Sequence, residues 1–257
     1  MRTNHVKQAL KAGKVSLGTF VFEFNTTGIG RIAAEAGAEF VLFDMEHTGW
    51  SIETIRMLIA TTRSVDAAPL VRVPATQYHF MARVLDMGAM GVMLPMVESA
   101  DQAQLIADSC RYPPVGRRGA AFTVSHDDFT GGDVVAKQQQ ANKQVLLIAQ
   151  IETAPGLENV EQIAQVDGID VLWIGQYDLS TSLGIPGQFD HPTFLDAVDR
   201  VLAAVKAAGK AAGFMTLSIE ETELRIKQGF RCLAYGGDLW IYQTALANSL
   251  QAVREFL

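Results

Sequence analysis

The sequence has few cysteines and no long apolar run, and each absence excludes a class of protein. Only Cys110 and Cys232 occur among the 257 residues, which argues against a disulfide-stabilised scaffold and against a zinc site built from thiolates. No apolar segment approaches the roughly 18 residues that a membrane-spanning helix needs. Residues 1–14 continue as a polar stretch without the apolar core of a signal peptide. We therefore predict a cytoplasmic protein with no membrane partner.

Positive charge is also scarce. The chain has 21 Lys and Arg residues against 28 Asp and Glu residues, a formal net charge of −7, and its basic residues form no stripe. Because nucleic-acid-binding surfaces neutralise phosphates with clustered Lys and Arg, we predict no nucleic-acid partner. The G-x-G-x-x-G turn is missing after the first predicted strand, which argues against a dinucleotide-binding fold.

Apolar sequence, by contrast, is abundant and ordered. Hydrophobic residues make up 49% of the chain, and short continuous apolar runs alternate with segments of helical period. Continuous apolar runs of this kind are typical of parallel strands that are buried on both faces. Eight such runs are predicted as strands, at residues 15–22, 40–43, 69–73, 91–94, 145–151, 169–174, 210–214 and 232–235.

Eight strand–helix units favour one closed α/β barrel, a (β/α)8 barrel, over an open doubly wound sheet, since about 250 residues is the usual size of that barrel. No linker or change of composition divides the chain, so we predict one domain over residues 1–257. Active sites of such barrels lie where strands end and the following loops begin. Polar residues at the predicted strand ends are therefore the functional candidates, namely Asp44, Glu46, His47, Arg72, Gln150, Glu152, Asp178 and Asp238.

Two carboxylates follow neighbouring predicted strands. Glu152 follows strand 145–151, and Asp178 follows strand 169–174 after a short Gly-Gln-Tyr turn. Carboxylates at the same end of adjacent parallel strands repel each other unless a cation lies between them, and hard divalent cations such as Mg²⁺ or Mn²⁺ prefer oxygen ligands. We predict Glu152 and Asp178 as metal ligands, with water and a chelating substrate completing the shell. Alternatively, Glu152 caps the following helix and Asp178 lies at the surface.

A histidine and an arginine accompany these acids. Asp44 precedes His47 by three residues, close enough to orient one ring nitrogen and leave the other free as a base. The alternative is a loop histidine with no chemical role. Arg72 ends an apolar strand, which is unusual for a solvated cation. It either binds an anionic oxygen ligand or forms a buried structural ion pair with Glu46 or Glu152.

Five motifs in chain order resemble those of the HpcH/HpaI family of metal-dependent pyruvate aldolases. They are D-x-E-H at 44–47, V-R-V-P at 71–74, YPP-x-G-x-R-G at 112–119, Q-I-E-T at 150–153 and G-x-x-D-L-S at 175–180. The resemblance runs along nearly the whole chain. It implies a (β/α)8 TIM barrel of the phosphoenolpyruvate/pyruvate type. It also implies a hexamer, a dimer of trimers, in which the C-terminal helix packs on a neighbouring subunit.

The resemblance further implies an activity. Members of the family are class II aldolases, that is, carbon–carbon lyases that make or cleave 4-hydroxy-2-oxo acids such as 4-hydroxy-2-oxoheptanedioate or 2-keto-3-deoxy sugar acids. The substrates are a 2-oxo acid and an aldehyde, and the reaction passes through a metal-bound pyruvate or hydroxypyruvate enolate. By position, Glu152 and Asp178 are similar to the ligands of the divalent metal, Mg²⁺, Mn²⁺ or Co²⁺. Arg72 is similar to the enolate-stabilising arginine, and His47 to the base with Asp44 behind it.

The same resemblance assigns the substrate contacts. Gln150 is similar to a residue that contacts a substrate oxygen, and the backbone amides of the turn Gly175, Gln176, Tyr177 and Asp178 are expected to hold the substrate carboxylate. The family usually carries Pro and a small residue where this chain has Gln176 and Tyr177. This departure concerns the identity of the substrate more than the reaction class.

Three alternatives to a metal-dependent aldolase use the same residues. One alternative is that this chain is a superfamily relative that uses the enolate differently, as a decarboxylase, a C–C hydrolase or a CoA-ester lyase. A CoA substrate calls for a basic patch near the mouth of the barrel, and Arg117 and Arg118 are the one close basic pair. A barrel that only binds its ligand is disfavoured by the intact set of site residues. A covalent imine mechanism is disfavoured because Lys143 and Lys210 precede their strands and lie at the opposite end of the barrel.

Overall fold

The computed structural model describes residues 2–257, and eight parallel strands in it form a closed barrel in chain order. The strands are β1 (Ser16–Val21), β2 (Phe40–Asp44), β3 (Ala68–Arg72), β4 (Gly91–Leu94), β5 (Leu146–Ile151), β6 (Val171–Ile174), β7 (Ala211–Thr216) and β8 (Cys232–Gly237). Each strand pairs with the next one, and β8 closes the barrel on β1. The predicted (β/α)8 architecture is confirmed.

Helices connect the strands and cover the outside of the barrel. They are α1 (His5–Lys11), α2 (Ile29–Glu35), α3 (Ile52–Thr62), α4 (Tyr78–Asp86), α5 (Ala100–Cys110), α6 (Val134–Gln144), α7 (Ala154–Glu158), α8 (Val160–Gln165), α9 (Gln176–Ser182), α10 (Pro192–Ala207), α11 (Ile219–Gln228) and α12 (Asp238–Arg254). Several begin at a serine whose side chain accepts a hydrogen bond from an amide of the first turn, as Ser51, Ser99 and Ser218 do.

The alternation of side chains along each strand separates two apolar layers. Successive residues of a strand point to opposite faces. In β5, Leu146 and Ile148 belong to the cluster inside the barrel, whereas Ala149 belongs to the cluster between the barrel and its helices. Gln150 and Glu152 continue the series of Leu146 and Ile148. Their side chains are therefore directed toward the mouth of the barrel at the carboxyl end of β5.

The same alternation holds in β2 and β3. Phe40 and Leu42 of β2 lie inside the barrel and are followed two residues later by Asp44. Leu70 of β3 lies inside the barrel and is followed two residues later by Arg72. The polar residue at the end of each strand is thus the next inward-facing position, and these side chains converge above the apolar interior.

The opposite end of the barrel is closed. Val6 and Leu10 of α1 join the apolar cluster inside the barrel. The Asn4 side chain, which is fully buried, donates hydrogen bonds to the carbonyl oxygens of Met90 and Gln144, at 2.9 and 3.0 Å. Helix α1 therefore covers the amino-terminal end, and the carboxyl end remains as the entrance to the interior.

The cysteines, the length of the helices and the exposure of the C-terminal segment complete the description of the fold. Cys110 and Cys232 are buried free thiols. Within residues 2–257, every helix is too short or too polar to cross a membrane. All residues from 241 to 257, which include most of α12, are exposed.

Candidate active site

A cavity of about 640 Å³ lies at the carboxyl ends of the strands. Its lining includes seven of the residues predicted from the sequence, namely His47, Arg72, Gln150, Gly175, Gln176, Tyr177 and Asp178. Two more predicted residues, Asp44 and Glu152, are buried next to this lining, at 0% and 1% exposure. The structure therefore brings the predicted candidates together at one end of the barrel.

Arg72 is held by two acids. Its Nε and Nη2 donate to the two carboxylate oxygens of Asp44, at 2.8 and 2.9 Å, and its Nη1 lies 3.0 Å from Oε2 of Glu46. Its guanidinium carbon lies over the rings of Phe20 and Phe22, 5.4 and 6.0 Å from their centroids. A two-bond contact to a buried carboxylate leaves the guanidinium little freedom, so Arg72 presents a fixed positive charge to the cavity.

The prediction that Asp44 orients the ring of His47 is wrong. Besides Arg72, the Asp44 carboxylate accepts hydrogen bonds from the backbone amides of Glu46 and His47, at 3.0 and 3.2 Å. The ring of His47 is instead 57% exposed at the side chain, and its Nε2 lies 3.7 Å from Oε2 of Glu46. Glu46 is thus the carboxylate next to the ring, and Asp44 positions the backbone that carries both residues.

Glu152 has one satisfied and one unsatisfied oxygen. Its Oε1 accepts a hydrogen bond from the Met96 amide at 2.6 Å, whereas its Oε2 is buried with no hydrogen-bond partner in the described part of the chain. Burial raises the pKa of this carboxyl to about 7, and the negative charges of Glu46 and Asp178 act in the same direction. The helix-capping alternative is wrong, because Thr153 caps α7 by accepting the Gly156 amide.

The segment before Asp178 is helical, so the predicted Gly-Gln-Tyr turn is wrong. Helix α9 begins at Gln176, with Gly175 as its N-cap and Asp178 in its first turn. The Gly175 amide donates to the Ile151 carbonyl at 3.1 Å and is not free for a ligand. The amides of Gln176, Tyr177 and Asp178 have no intrahelical partner, because they belong to the first turn.

The two side chains in which this segment departs from the family pattern, those of Gln176 and Tyr177, contact neighbouring parts of the barrel rim. Gln176 is buried, and its Nε2 donates to the Met215 carbonyl at 3.0 Å. Tyr177 is half exposed and packs edge-on against Phe189, with ring centroids 5.1 Å apart. Both residues line the cavity.

The donor set fits a divalent cation. Asp178 is exposed in the cavity, and its charge raises the pKa of both Glu46 and Glu152, in each case after the larger effect of burial. Among residues 2–257, no three Asp, Glu, His or Cys side chains converge on one possible metal position. Two carboxylates with the remaining oxygens from water and substrate are a usual arrangement for Mg²⁺. A buried, unpartnered carboxylate oxygen is the group that such a cation satisfies.

Sequence reasoning missed several contributors to the site. Met96 supplies a backbone amide from a left-handed conformation, with φ of 52°, and a backbone contact leaves no signal in side-chain identity. Phe20 and Phe22 lie under Arg72, and their spacing of two residues at the end of the first predicted strand is a signal that could have found them. Trp240 lines the cavity from α12.

Two alternatives lose support. Arg118, half of the proposed basic pair for a CoA substrate, is buried, pairs with Asp86 at 2.5 Å and lies 4.6 Å above the ring of Tyr112. No lysine occurs among the described residues that line the cavity. Lys210 directly precedes β7 and therefore lies at the opposite end of the barrel, as predicted.

Known proteins share this fold and much of this sequence. The 2-keto-3-deoxy-L-rhamnonate aldolase of Shigella sonnei is 32% identical over 248 residues, 96% of this chain and 92% of that protein. The crystal structure of an HpcH/HpaI aldolase from Desulfitobacterium hafniense is similar, with a TM-score of 0.92, 31% identity and coverage of 97% of this chain and 96% of that one.

A second solved structure extends the comparison. An HpcH/HpaI aldolase/citrate lyase family protein from Burkholderia cenocepacia has a TM-score of 0.91, 32% identity and coverage of 98% of this chain and 100% of that one. The sequence model of the HpcH/HpaI aldolase/citrate lyase family matches residues 17–245. The resemblance inferred from the motifs is confirmed, and the chain belongs to the HpcH/HpaI aldolase/citrate lyase family.

Proposed function

We propose that this carbon–carbon lyase is a divalent-metal-dependent aldolase that makes or cleaves 4-hydroxy-2-oxo acids from pyruvate or hydroxypyruvate and an aldehyde. The observation that carries the proposal is the buried, unpartnered Oε2 of Glu152 beside a cavity that also holds Arg72. The relatives that are 2-keto-3-deoxy-L-rhamnonate aldolases support a 2-keto-3-deoxy sugar acid as the product of addition.

Glu152 and Asp178 are the residues that would hold Mg²⁺, Mn²⁺ or Co²⁺. When bound, the cation supplies Lewis-acid polarisation of the carboxylate and keto oxygens of the 2-oxo acid. Glu152 suits this role because its free oxygen is shielded from water, and Asp178 suits it because its carboxylate is open to the cavity.

Arg72 stabilises the charge that develops on the keto oxygen as the enolate forms. Because Asp44 holds its guanidinium in place, no reorganisation is needed when that charge appears. The first-turn amides of α9 bind the substrate carboxylate at the positive end of the helix. Gln150 is 4% exposed, and its Oε1 lacks a partner, so it can accept a hydrogen bond from a substrate hydroxyl or from a water bound to the substrate.

His47 is the proposed base. His47 lines the cavity and its side chain is 57% exposed, so Nε2 is open to a substrate methyl group and can then return the proton to solvent. Glu46, 3.7 Å away, stabilises the protonated ring after the transfer.

Pyruvate enolisation tests this function before any aldehyde is known. In deuterated water with pyruvate and Mg²⁺ or Mn²⁺, NMR is expected to show loss of the methyl proton signal; a chelator stops the exchange and added metal restores it. His47→Ala is expected to slow the exchange about 10²-fold, the usual contribution of a positioned base. Exchange that persists in chelator would point to a different mechanism, and no exchange at all would overturn the proposed function.

Gly175 is expected to be intolerant of a side chain. A Cβ on Gly175 would lie 2.3 Å from Glu152 Oε2 and 2.8 Å from Gln150 Nε2, so it would displace both groups. We expect Gly175→Ala to lower kcat/KM by about 100-fold, the usual effect of misplacing reacting groups by about 1 Å. Gly49→Ala is the matched control, since Gly49 lines the same cavity but has no atom within 4 Å of its Cβ position. Equal activities in a steady-state assay of aldol cleavage would contradict this role.

We also propose that α12 mediates a homo-oligomer, a hexamer of two trimers. Tyr242, Leu246, Leu250 and Val253 form an exposed apolar stripe at helical spacing. The start of α12 also borders an apolar cavity of about 580 Å³ next to β1 and α2. An exposed apolar stripe that adjoins an apolar cavity is the feature of a surface that a neighbouring copy covers.

Leu246→Asp is expected to break this assembly. The substitution places a charge on the apolar stripe, so the mass measured by light scattering should fall from that of a hexamer to that of a smaller species. Asn248→Asp adds the same charge on another face of α12 and should leave the mass unchanged. A wild-type monomer would contradict the proposal.

A further inference from the structure

One wall of the cavity is built by the loop after β1 and the first turn of α12. Phe22, Glu23, Leu239 and Trp240 line the cavity from these two segments and are called here the β1–α12 wall. The ring of Phe22 contacts Trp240 edge-on at 5.1 Å and stacks on Phe20 at 5.3 Å. Because Arg72 lies over the rings of Phe20 and Phe22, this wall begins next to the proposed reacting centre.

Asp238 fixes the wall. Its carboxylate, which is 8% exposed, accepts hydrogen bonds from three consecutive amides, those of Phe22 at 2.8 Å, Glu23 at 3.0 Å and Phe24 at 2.6 Å. Asp238 is one of the functional candidates that the sequence places at a strand end, but no step of the proposed enolisation uses it. Three charge-assisted hydrogen bonds to one loop hold that loop in a single conformation against α12.

Positive and negative side chains are distributed unevenly over the lining of the cavity. Arg72 is the one Lys or Arg among the described residues that line the cavity, and Asp44 and Glu46 already pair with it. The β1–α12 wall instead contributes Glu23, which is exposed, and the aromatic residues Phe22 and Trp240. A ligand on this wall meets a hydrogen-bond acceptor and apolar faces, but no cation.

We infer that the β1–α12 wall is the aldehyde subsite and that Glu23 selects neutral, hydroxylated aldehydes over aldehydes that carry a carboxylate. Hydroxyl groups of a neutral aldehyde donate hydrogen bonds to Glu23, and its carbon chain packs on the aromatic faces. A carboxylate at the same place meets the like charge of Glu23 without a compensating cation. The inference rests on the proposed aldolase function, and Asp238 is a positioning residue for the subsite.

Competition between two aldehydes tests this selection. The ratio of kcat/KM for addition of pyruvate to glyceraldehyde over addition to succinic semialdehyde is measured for the wild type, Glu23→Gln and Glu23→Lys. We expect the wild type to favour glyceraldehyde, Glu23→Gln to lower the ratio about fivefold, and Glu23→Lys to lower it at least about tenfold further, as expected for one and two units of charge in a partly solvated site. Because the ratio is independent of the fraction of folded enzyme, partial misfolding does not affect it.

Two further variants complete the test. Asp196→Lys, an exposed site on α10, makes the same change of charge outside the cavity and should leave the ratio unchanged. Asp238→Asn should raise KM for the aldehyde about tenfold with a smaller change in kcat, as a loosened subsite predicts. A wild type that prefers succinic semialdehyde, or a ratio unaffected by both Glu23 substitutions, overturns the inference. Absence of pyruvate proton exchange in the wild type overturns the aldolase function itself, so the two failures are distinguishable.

Discussion

Glu152→Gln is expected to lower kcat for aldol cleavage by about 10³-fold or more and to weaken binding of Mn²⁺ to a similar degree. Glutamine keeps the shape of glutamate but removes the charge of the buried Oε2, which is the one oxygen of Glu152 without a partner. Loss of the stabilisation that a divalent cation gives to the enolate is worth several kcal/mol, which corresponds to this fold-change. Kinetics and titration calorimetry with Mn²⁺ measure the two effects independently.

The control for this variant is the same substitution at an exposed site. Glu220→Gln on α11 removes a carboxylate that is fully solvated and should change neither kcat nor Mn²⁺ affinity. If Glu152→Gln retains both wild-type activity and wild-type Mn²⁺ affinity, Glu152 is not a metal ligand.

Arg72→Ala is expected to reduce both stability and enolisation strongly. Removal of the guanidinium leaves the fully buried carboxylate of Asp44 with only backbone amides as partners. Breaking a buried ion pair in this way costs about 3–5 kcal/mol, which lowers Tm by about 10 °C in a chain of this size. Pyruvate proton exchange should fall about 10³-fold, since the charge that faces the keto oxygen is lost.

Two comparisons separate the structural part of this effect from the chemical part. Arg200→Ala breaks a pair with Glu161 in which both side chains are about half exposed, and it should change stability by less than about 1 kcal/mol. Arg72→Lys restores one charge but not the two-bond contact to Asp44, so stability should recover more than exchange does. Thermal unfolding and NMR exchange provide the readings, and wild-type exchange in Arg72→Lys would contradict the proposed role of the guanidinium.

The barrel was predictable from the periodicity of the sequence, and the position of the candidate site was predictable from the ends of the strands. Continuous apolar runs identified all eight strands, and the ends of those strands placed Arg72 and Gln150 at one rim. These features depend on local sequence and on the rule that parallel strands end at the same face. The family motifs lie at those strand ends, so the sequence alone also indicated the reaction class.

The errors concern contacts whose geometry depends on neighbouring strands. Asp44 and His47 are close in sequence, which suggested a contact between their side chains. Arg72 on the adjacent strand β3 is instead the register partner of Asp44 and donates hydrogen bonds to both of its carboxylate oxygens. The predicted turn at residues 175–177 is instead the start of α9, with Gly175 as its N-cap. The β1–α12 wall joins residues more than 200 positions apart, and no local pattern predicts such a contact.

The location of a bound divalent ion tests the central claim most directly. Crystals grown with Mn²⁺ and pyruvate and measured by anomalous diffraction should show one Mn²⁺ at the carboxyl end of the barrel, with an oxygen of Glu152 and an oxygen of Asp178 each within about 2.5 Å. A Mn²⁺ ion that contacts neither carboxylate, or a site that stays empty at saturating Mn²⁺ in active crystals, would contradict it.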